Sequence, residues 1–103
     1  MVVCLGYNGQ DEIVDAVRAI VESGLRPEEI DRATLSEHMY IPKLPPMDLL
    51  LRTSGEQRIS GFLTYQTAYT ELMFPKKLWP AFTADDLTAC IEEFGERQRR
   101  FGA

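Results

Sequence analysis

The stretch DLLLRTSGEQRISGFLTYQTAYTELMFPKKLW, residues 48–79, decides how the rest of the chain can fold. Its apolar start ends in Arg52 and opens into the polar turn TSGEQR, after which an apolar segment begins at Ser60 and carries Glu71 at its far end. Short, near-continuous apolar runs are typical of strands covered on both faces. We predict a strand over residues 48–51, a helix over residues 60–69 and a short strand over residues 71–74.

The chain before this stretch follows the same alternation. Residues 2–5 are apolar and partly β-branched, which predicts a buried strand. Residues 10–23 carry apolar side chains at helical spacing, with Asn8 or Gly9 placed to cap the helix and Gly24 placed to end it. A strand, a turn and an amphipathic helix form the first half of a parallel-sheet crossover.

Residues 26–40 predict one or two short helices. Pro27 suits a helical first turn, and Thr34-Leu-Ser-Glu37 matches a capping box. His38 lies in this segment and could act as a base or a metal ligand. It is the chain's sole histidine and has no Cys or carboxylate partner at ligand spacing, so we expect a partly exposed helix residue.

The last predicted element is a helix that starts at Thr83, a good N-cap with Asp86 three residues on, and runs to about Arg100. The whole pattern predicts a three-layer α/β fold, in which helices flank a small, mostly parallel sheet of three strands. So small a sheet leaves much apolar surface to cover. The chain is therefore expected to be part of a larger domain or to bury its edges against another copy.

Composition limits the class of protein. The 103 residues are 45% hydrophobic and 26% charged, as in an average globular chain, and they suffice for one domain or part of one. No signal peptide and no spanning segment is apparent, so we expect a cytoplasmic location, with peripheral membrane contact left open. Cys4 and Cys90 sit in apolar patterns and are expected to be buried thiols.

Charge is unevenly distributed along the chain. The net charge of −5 argues against a nucleic-acid partner. Residues 43–79 nevertheless hold five basic and three acidic side chains, a local charge of +2, which leaves −7 for the remainder. An acidic protein with a basic central segment suggests that a small anionic ligand binds there.

The central stretch contains the groups that such a ligand needs. Arg52 follows a predicted strand end, where ligands bind in open parallel sheets, and arginine forks match phosphate oxygens. Arg58 lies on the other side of a loop in which Gly55 allows close backbone approach. Ser60, as the predicted N-cap of a helix, would add a hydroxyl and free N–H groups. The spacing is therefore consistent with a diphosphate cradle.

Each of these residues also has a simpler explanation. Arg52 could pair with Asp48 or Glu56, and Ser60 could be an ordinary helix cap. Glu71 could be a solvated strand end, or it could hold Mg²⁺, which takes one or two carboxylates together with phosphate oxygens and water. No zinc grouping, nucleophile triad, GxxxxGK[ST] or GxGxxG is present.

The same stretch resembles the signature segment of the cis-prenyltransferases, the undecaprenyl diphosphate synthase family. The matching motifs are R-T-S-G-E-x-R-x-S, an aromatic-Gln pair, A-Y-x-E-L-x-F and L-W-P. Residues 7–13, YNGQDEI, are similar to the family's Y-G-G-R-x-E-I, and residues 100–102 match its C-terminal R-x-G. The resemblance covers essentially all of the chain and corresponds to the second half of such an enzyme.

The resemblance implies roles for particular residues. Arg52, Arg58 and Ser60 would bind the diphosphate of isopentenyl diphosphate, and Glu71 would help to ligate Mg²⁺. Two further residues, Arg100 and Gly102, would reach across a dimer interface to complete the partner's site. The implied reaction is condensation of isopentenyl diphosphate onto an allylic diphosphate, with loss of diphosphate.

The sequence also departs from the family pattern. The N-terminal D-G-N-x-R motif, which supplies the metal-binding aspartate and the allylic diphosphate loop, is absent, so no catalytic residue is assigned. Gly61 stands where many bacterial members have Asn, and Tyr65 where they often have Trp. The leading hypothesis is a C-terminal half carrying the isopentenyl diphosphate half-site, as a homodimer or with a complementary half. The alternative is a non-catalytic partner subunit of a heteromeric enzyme.

Overall fold

The computed structural model of the chain describes residues 1–97. Its elements, in order, are α1 (Gly9–Glu22), a 3₁₀ turn (Pro27–Glu29), α2 (Arg32–Glu37), β1 (Leu49–Leu51), β2 (Glu71–Met73), a second 3₁₀ turn (Trp79–Ala81) and α3 (Ala84–Glu96). The chain divides into two compact units. The first comprises Met1–Pro45 and Gly61–Tyr65, and the second comprises Pro46–Ser60 and the described part of Gln66–Ala103.

Helix α1 organises the first unit. The Asn8 side chain accepts a hydrogen bond from the Gln10 amide at 2.9 Å, which confirms the predicted cap. Ala16 and Ile20 are buried on its inner face. Glu12, only 2% exposed, accepts hydrogen bonds from the Tyr7 hydroxyl and, at 3.0 Å, from the Tyr40 amide. A buried carboxylate must be compensated by such donors, so Glu12 ties the chain on both sides of α1 together.

Helix α2 begins three residues earlier than the Thr34 capping box predicts. Its N-cap is Asp31, whose carboxylate accepts a hydrogen bond from the Thr34 amide at 2.8 Å. The prediction of a capping box that begins at Thr34 is therefore wrong. His38 follows the last residue of α2, half-buried, with Nδ1 2.8 Å from the Thr34 carbonyl oxygen. The expectation of a partly exposed residue at a helix is confirmed.

Strands β1 and β2 form a parallel pair in the second unit, with Leu49 opposite Glu71 and Leu51 opposite Met73. The amide of Glu71 donates to the Asp48 carbonyl, and the amide of Arg52 donates to the Met73 carbonyl, both at 3.0 Å. The prediction of an α/β fold with a small parallel sheet and helices is confirmed, and both predicted central strands are present.

The prediction of a strand over residues 2–5 is wrong. A strand exists only where its backbone groups pair with a neighbour, and the described part of the chain contains a sheet of two strands, β1 and β2. Residues 2–5 are exposed instead. The prediction of a buried thiol at Cys4 is also wrong, because Cys4 lies in this exposed segment. Cys90 on α3 is half-buried, and both thiols are free.

The helix predicted over residues 60–69 is also wrong, and with it the role of Ser60 as a helix N-cap. This segment is a series of turns, in which Ser60, Gly61 and Leu63 have φ values of +49°, +76° and +47°. A right-handed helix cannot contain such residues. The Gly61 carbonyl instead accepts hydrogen bonds from the Gly9 amide at 2.8 Å and from the Thr64 hydroxyl at 3.0 Å.

Helix α3 begins as predicted. Thr83 caps it, and the Asp86 carboxylate accepts from the Thr83 amide at 2.7 Å and from the Lys77 ammonium at 2.7 Å. Helix α3 ends at Glu96, and Arg97, its C-cap, has extended backbone angles, so the prediction that the helix continues towards Arg100 is wrong at Arg97. Residues 98–100 lie outside the described residues. Within residues 1–97, no helix has both the length and the apolar character needed to cross a membrane.

Candidate functional site

The loop after β1 is fixed by backbone hydrogen bonds to the segment after β2. The Ser54 amide donates to the Lys77 carbonyl at 2.8 Å, and the Gly55 amide donates to the Pro75 carbonyl at 2.9 Å. Gly55 has a φ of +72°, a conformation that favours glycine. These hydrogen bonds therefore hold the loop after β1 in one position at the carboxyl end of the strand pair.

Arg52 forms hydrogen bonds to the other two predicted anion-binding residues, Arg58 and Ser60. Its Nη1 donates to the Ser60 hydroxyl at 2.7 Å and to the Arg58 carbonyl at 2.6 Å. The returning chain is thereby held against the end of β1, with the Ser60 hydroxyl beside the Arg52 guanidinium. A cation, a hydroxyl and a nearby second arginine make a group that can bind the oxygens of a phosphate.

The Arg58 guanidinium points elsewhere, to an ion pair with Glu56. Its Nη1 lies 2.5 Å from Glu56 Oε2, and the two side chains are 62% and 47% exposed. An exposed pair of this kind contributes little to stability, roughly 0–1 kcal/mol. A multiply charged anion at the Arg52 end of the loop could therefore compete with Glu56 for Arg58 at little cost.

The Glu71 carboxylate forms an ion pair with Arg97 and is not a fully solvated strand end. Arg97 at the end of α3 donates from Nη1 to Glu71 Oε2 at 3.0 Å and to the Leu72 carbonyl at 3.1 Å. Its Nη2 donates to Glu93 Oε1 at 2.8 Å. The hydrogen bonds to Glu93 and then to Glu71 raise the pKa of Arg97. Arg97 is the residue that sequence reasoning missed, because its helical spacing from Glu93 is visible but its contact with β2 is not.

The structure does not bring Glu71 and Arg52 together within one chain. The register sets Glu71 opposite Leu49, the first residue of β1, whereas Arg52 follows the last residue. At about 3.3 Å per residue, the two positions are roughly 10 Å apart along the strands. Within residues 1–97 no three His, Cys, Asp or Glu side chains cluster as a metal site. Arg100 and Gly102 lie outside the described residues.

Comparison with known proteins gives one consistent result. The family model described as "Putative undecaprenyl diphosphate synthase" matches residues 1–102. The chain is 45% identical to the isoprenyl transferase of Zymomonas mobilis and 47% identical to the decaprenyl diphosphate synthase of Mycobacterium tuberculosis, with 99% and 97% of this chain covered. Among solved structures it is similar to lavandulyl diphosphate synthase from Lavandula x intermedia, crystallised with dimethylallyl diphosphate (TM-score 0.88, 43% identity, 96% of this chain covered). It is also similar to a probable undecaprenyl diphosphate synthase from Campylobacter jejuni (TM-score 0.80, 31% identity, 96% covered).

The chain spans less than half of each of these proteins. It covers 43% of the Zymomonas protein and 35% of the mycobacterial one. It covers 44% of the Lavandula chain and 45% of the Campylobacter chain.

Proposed function

This chain belongs to the undecaprenyl diphosphate synthase family of cis-prenyltransferases, and from that premise we propose that it carries the half-site for isopentenyl diphosphate. The observation that carries the proposal is the pair of hydrogen bonds from Arg52 Nη1 to the Ser60 hydroxyl and the Arg58 carbonyl. They gather two arginines and a hydroxyl on one loop at the carboxyl end of a parallel strand pair, where anionic ligands bind in open α/β sheets.

In this proposal each group has a distinct task. The Arg52 fork and the Ser60 hydroxyl bind diphosphate oxygens, and Arg58 exchanges its exposed carboxylate partner, Glu56, for the same ligand. With the remainder of the active site present, a carbon–carbon bond forms between isopentenyl diphosphate and the allylic carbon, the bond from that carbon to its diphosphate breaks, and isopentenyl diphosphate loses a proton. The contribution of this chain is to hold and orient one of the two substrates.

Mg²⁺ is the cofactor that we propose, with Glu71 as one ligand. A single carboxylate fits this ion, which takes the rest of its ligands from phosphate oxygens and water, and a bound ion would offset diphosphate charge. Because Glu71 and Arg52 lie at opposite ends of the strand pair, we propose that Glu71 serves the Arg52 loop of a second copy. Arg100 and Gly102 are proposed to complete the partner's site as well. The functional unit would then be a homodimer, or a complex with a complementary half.

A second candidate function is a non-catalytic partner subunit. The exposed apolar side chains of Val2, Val3 and Leu5 favour this alternative, because they offer a surface that another subunit can cover, and the assembled Arg52 loop counts against it. The discriminating assay mixes the chain with a catalytically complete family member. Stimulation of product formation that survives Glu71→Ala would favour the partner role, and stimulation that needs Glu71 would favour a contributed half-site.

The proposed half-site is tested by calorimetric titration of isopentenyl diphosphate into the 103-residue chain with Mg²⁺ present. Wild type is expected to bind, and Arg52→Ala is expected to lose about 1.5–3 kcal/mol, the usual value of a charge-assisted hydrogen bond. This corresponds to roughly 10- to 150-fold in affinity. Removal of the ion with EDTA should also weaken binding, because the diphosphate charge is then less well compensated.

The matched control is Arg18→Ala, which removes an exposed arginine on α1 whose ion pair, with Asp15, is also at the surface. It changes the net charge by the same amount as Arg52→Ala, so a general charge effect would appear in both variants. Equal affinities of Arg52→Ala and Arg18→Ala would contradict the assignment of Arg52 as a diphosphate ligand.

A cytoplasmic location with peripheral membrane contact also remains a proposal. Sedimentation of the chain with liposomes of neutral and anionic lipids would test the contact.

A further inference from the structure

Arg97 occupies an unusual position at the edge of the strand pair. The bonds between the strands use the amide of Glu71 and the carbonyl of Met73, so the backbone groups of Leu72, between them, face away from β1. Arg97 Nη1 donates to the Leu72 carbonyl at 3.1 Å. The guanidinium thus lies on the side of β2 where a further strand would otherwise pair.

The same nitrogen reaches the carboxylate that starts β2. Nη1 donates to Glu71 Oε2 at 3.0 Å, and the two side chains are only 32% and 26% exposed. Nη2 is meanwhile held by Glu93 Oε1 at 2.8 Å, one helical turn back along α3. The planar fork of Arg97 is therefore hydrogen-bonded on both sides, to Glu71 through Nη1 and to Glu93 through Nη2. The contact uses one carboxylate oxygen, Oε2.

We propose that Arg97 is a positioning residue for Glu71, which it holds at the edge of β2 with one carboxylate oxygen directed to a ligand. The proposal rests on the assignment of Glu71 as a Mg²⁺ ligand made above. Partners that hydrogen-bond a ligating carboxylate typically account for 10- to 100-fold in metal affinity or activity. In this role Arg97 acts through Glu71, to which Nη1 donates.

The test measures how much Mg²⁺ the chain needs to bind isopentenyl diphosphate. Arg97→Ala is expected to raise the Mg²⁺ concentration that gives half-maximal binding by about tenfold or more. Arg18→Ala is the matched control, because it removes an exposed arginine whose ion pair, with Asp15, lies outside the contacts of Glu71, and its Mg²⁺ requirement should stay within about twofold of wild type. An unchanged requirement in Arg97→Ala, or an equal rise in Arg18→Ala, would overturn the proposal.

Thermal melts followed by circular dichroism establish whether each variant is folded at the titration temperature. If Arg97→Ala is unfolded there, Arg97→Lys carries the test, because lysine keeps the charge and loses the planar fork. It is expected to raise the Mg²⁺ requirement more than twofold. A wild-type requirement in folded Arg97→Lys would overturn the proposal in that case.

A second readout needs no ligand. Side-chain couplings measured by NMR should report a single χ1 rotamer for Glu71 in wild type and averaged couplings in Arg97→Ala. A single Glu71 rotamer in folded Arg97→Ala would overturn the positioning role. If wild type fails to bind isopentenyl diphosphate, the proposed function fails, and the couplings still decide whether Arg97 positions Glu71.

Discussion

At the scale of single residues, Gly9 determines how the turn segment 61–65 packs in the first unit. A Cβ at Gly9 would lie 2.7 Å from the Thr64 hydroxyl oxygen, 2.8 Å from the Thr64 amide nitrogen and against the Gly61 carbonyl oxygen. Gly9→Ala should therefore break the hydrogen bond from the Gly9 amide to Gly61 and cost roughly 1–3 kcal/mol, as overpacking usually does. Urea unfolding followed by circular dichroism measures the loss.

Gly95→Ala is the control for this prediction. Among residues 1–97, and apart from its chain neighbours and the backbone of its own helix, no atom lies within 4 Å of a Cβ at Gly95, which lies in α3. Alanine there should leave stability unchanged or raise it by up to about 1 kcal/mol, because glycine is the more flexible residue when unfolded. Equal unfolding midpoints for the two variants would show that the close approach at Gly9 does not affect the free energy of unfolding.

Gly9 also marks the limit of prediction from local sequence. The cap at Asn8 could be predicted, because a cap joins a side chain to amides two or three residues away. The bond from Gly9 to Gly61 joins distant parts of the chain, and no local pattern signals it. That bond, together with the positive φ values of Ser60 and Leu63, is why the apolar spacing over residues 60–69 wrongly predicts a helix.

At the scale of elements, the start of α3 should be sensitive to acid. The hydrogen bond from Lys77, followed by those from Thr83, lowers the pKa of Asp86 from 3.8 to about 2. A carboxyl group whose pKa is lower in the folded state stabilises the fold above its unfolded pKa, and this contribution is lost as the pH falls through the folded value. The contribution of Asp86 should therefore be complete above about pH 4 and vanish towards pH 2.

The measurement compares urea midpoints of wild type and Asp86→Asn between pH 7 and pH 2. The two curves should differ at neutral pH and converge in acid, because other carboxylates titrate equally in both proteins. Thr83→Ala removes the cap without removing the carboxylate and should cost about 1 kcal/mol. A difference between wild type and Asp86→Asn that is constant across the range would contradict the link between the Asp86 charge and α3.

The candidate site shows the same division between local and distant information. The order of Arg52, Arg58 and Ser60 along one loop is written in the sequence, and the structure brings Arg52 and Ser60 into contact, at 2.7 Å. The environment of Glu71 could not be predicted from the sequence. Its partner Arg97 lies at the end of a different element, and the distance between Glu71 and Arg52 depends on the strand register. Residue types could thus be predicted from the motif, whereas their pairing required the fold.

At the scale of the whole molecule, the described chain leaves large apolar side chains in water. Val2, Val3 and Leu5 form an apolar run that is 60%, 69% and 88% exposed, and Trp79 and Ile91 in the second unit are 73% and 54% exposed. A contiguous exposed run of this kind usually marks a surface that another chain covers. We therefore predict that the chain forms at least a homodimer, which the proposed sharing of Glu71 between copies also requires.

Light scattering coupled to size-exclusion chromatography should give a mass of two or more chains of 11.7 kDa at micromolar concentration. The response to salt identifies the force. Each copy carries a net charge of −5, so two copies repel each other at low ionic strength, and screening should strengthen an association based on apolar contact. Dissociation in high salt would instead point to ion pairs between copies. A stable mass of one chain at every salt concentration would contradict both the assembly and a half-site completed by a second copy, leaving a complementary half as the partner to be sought.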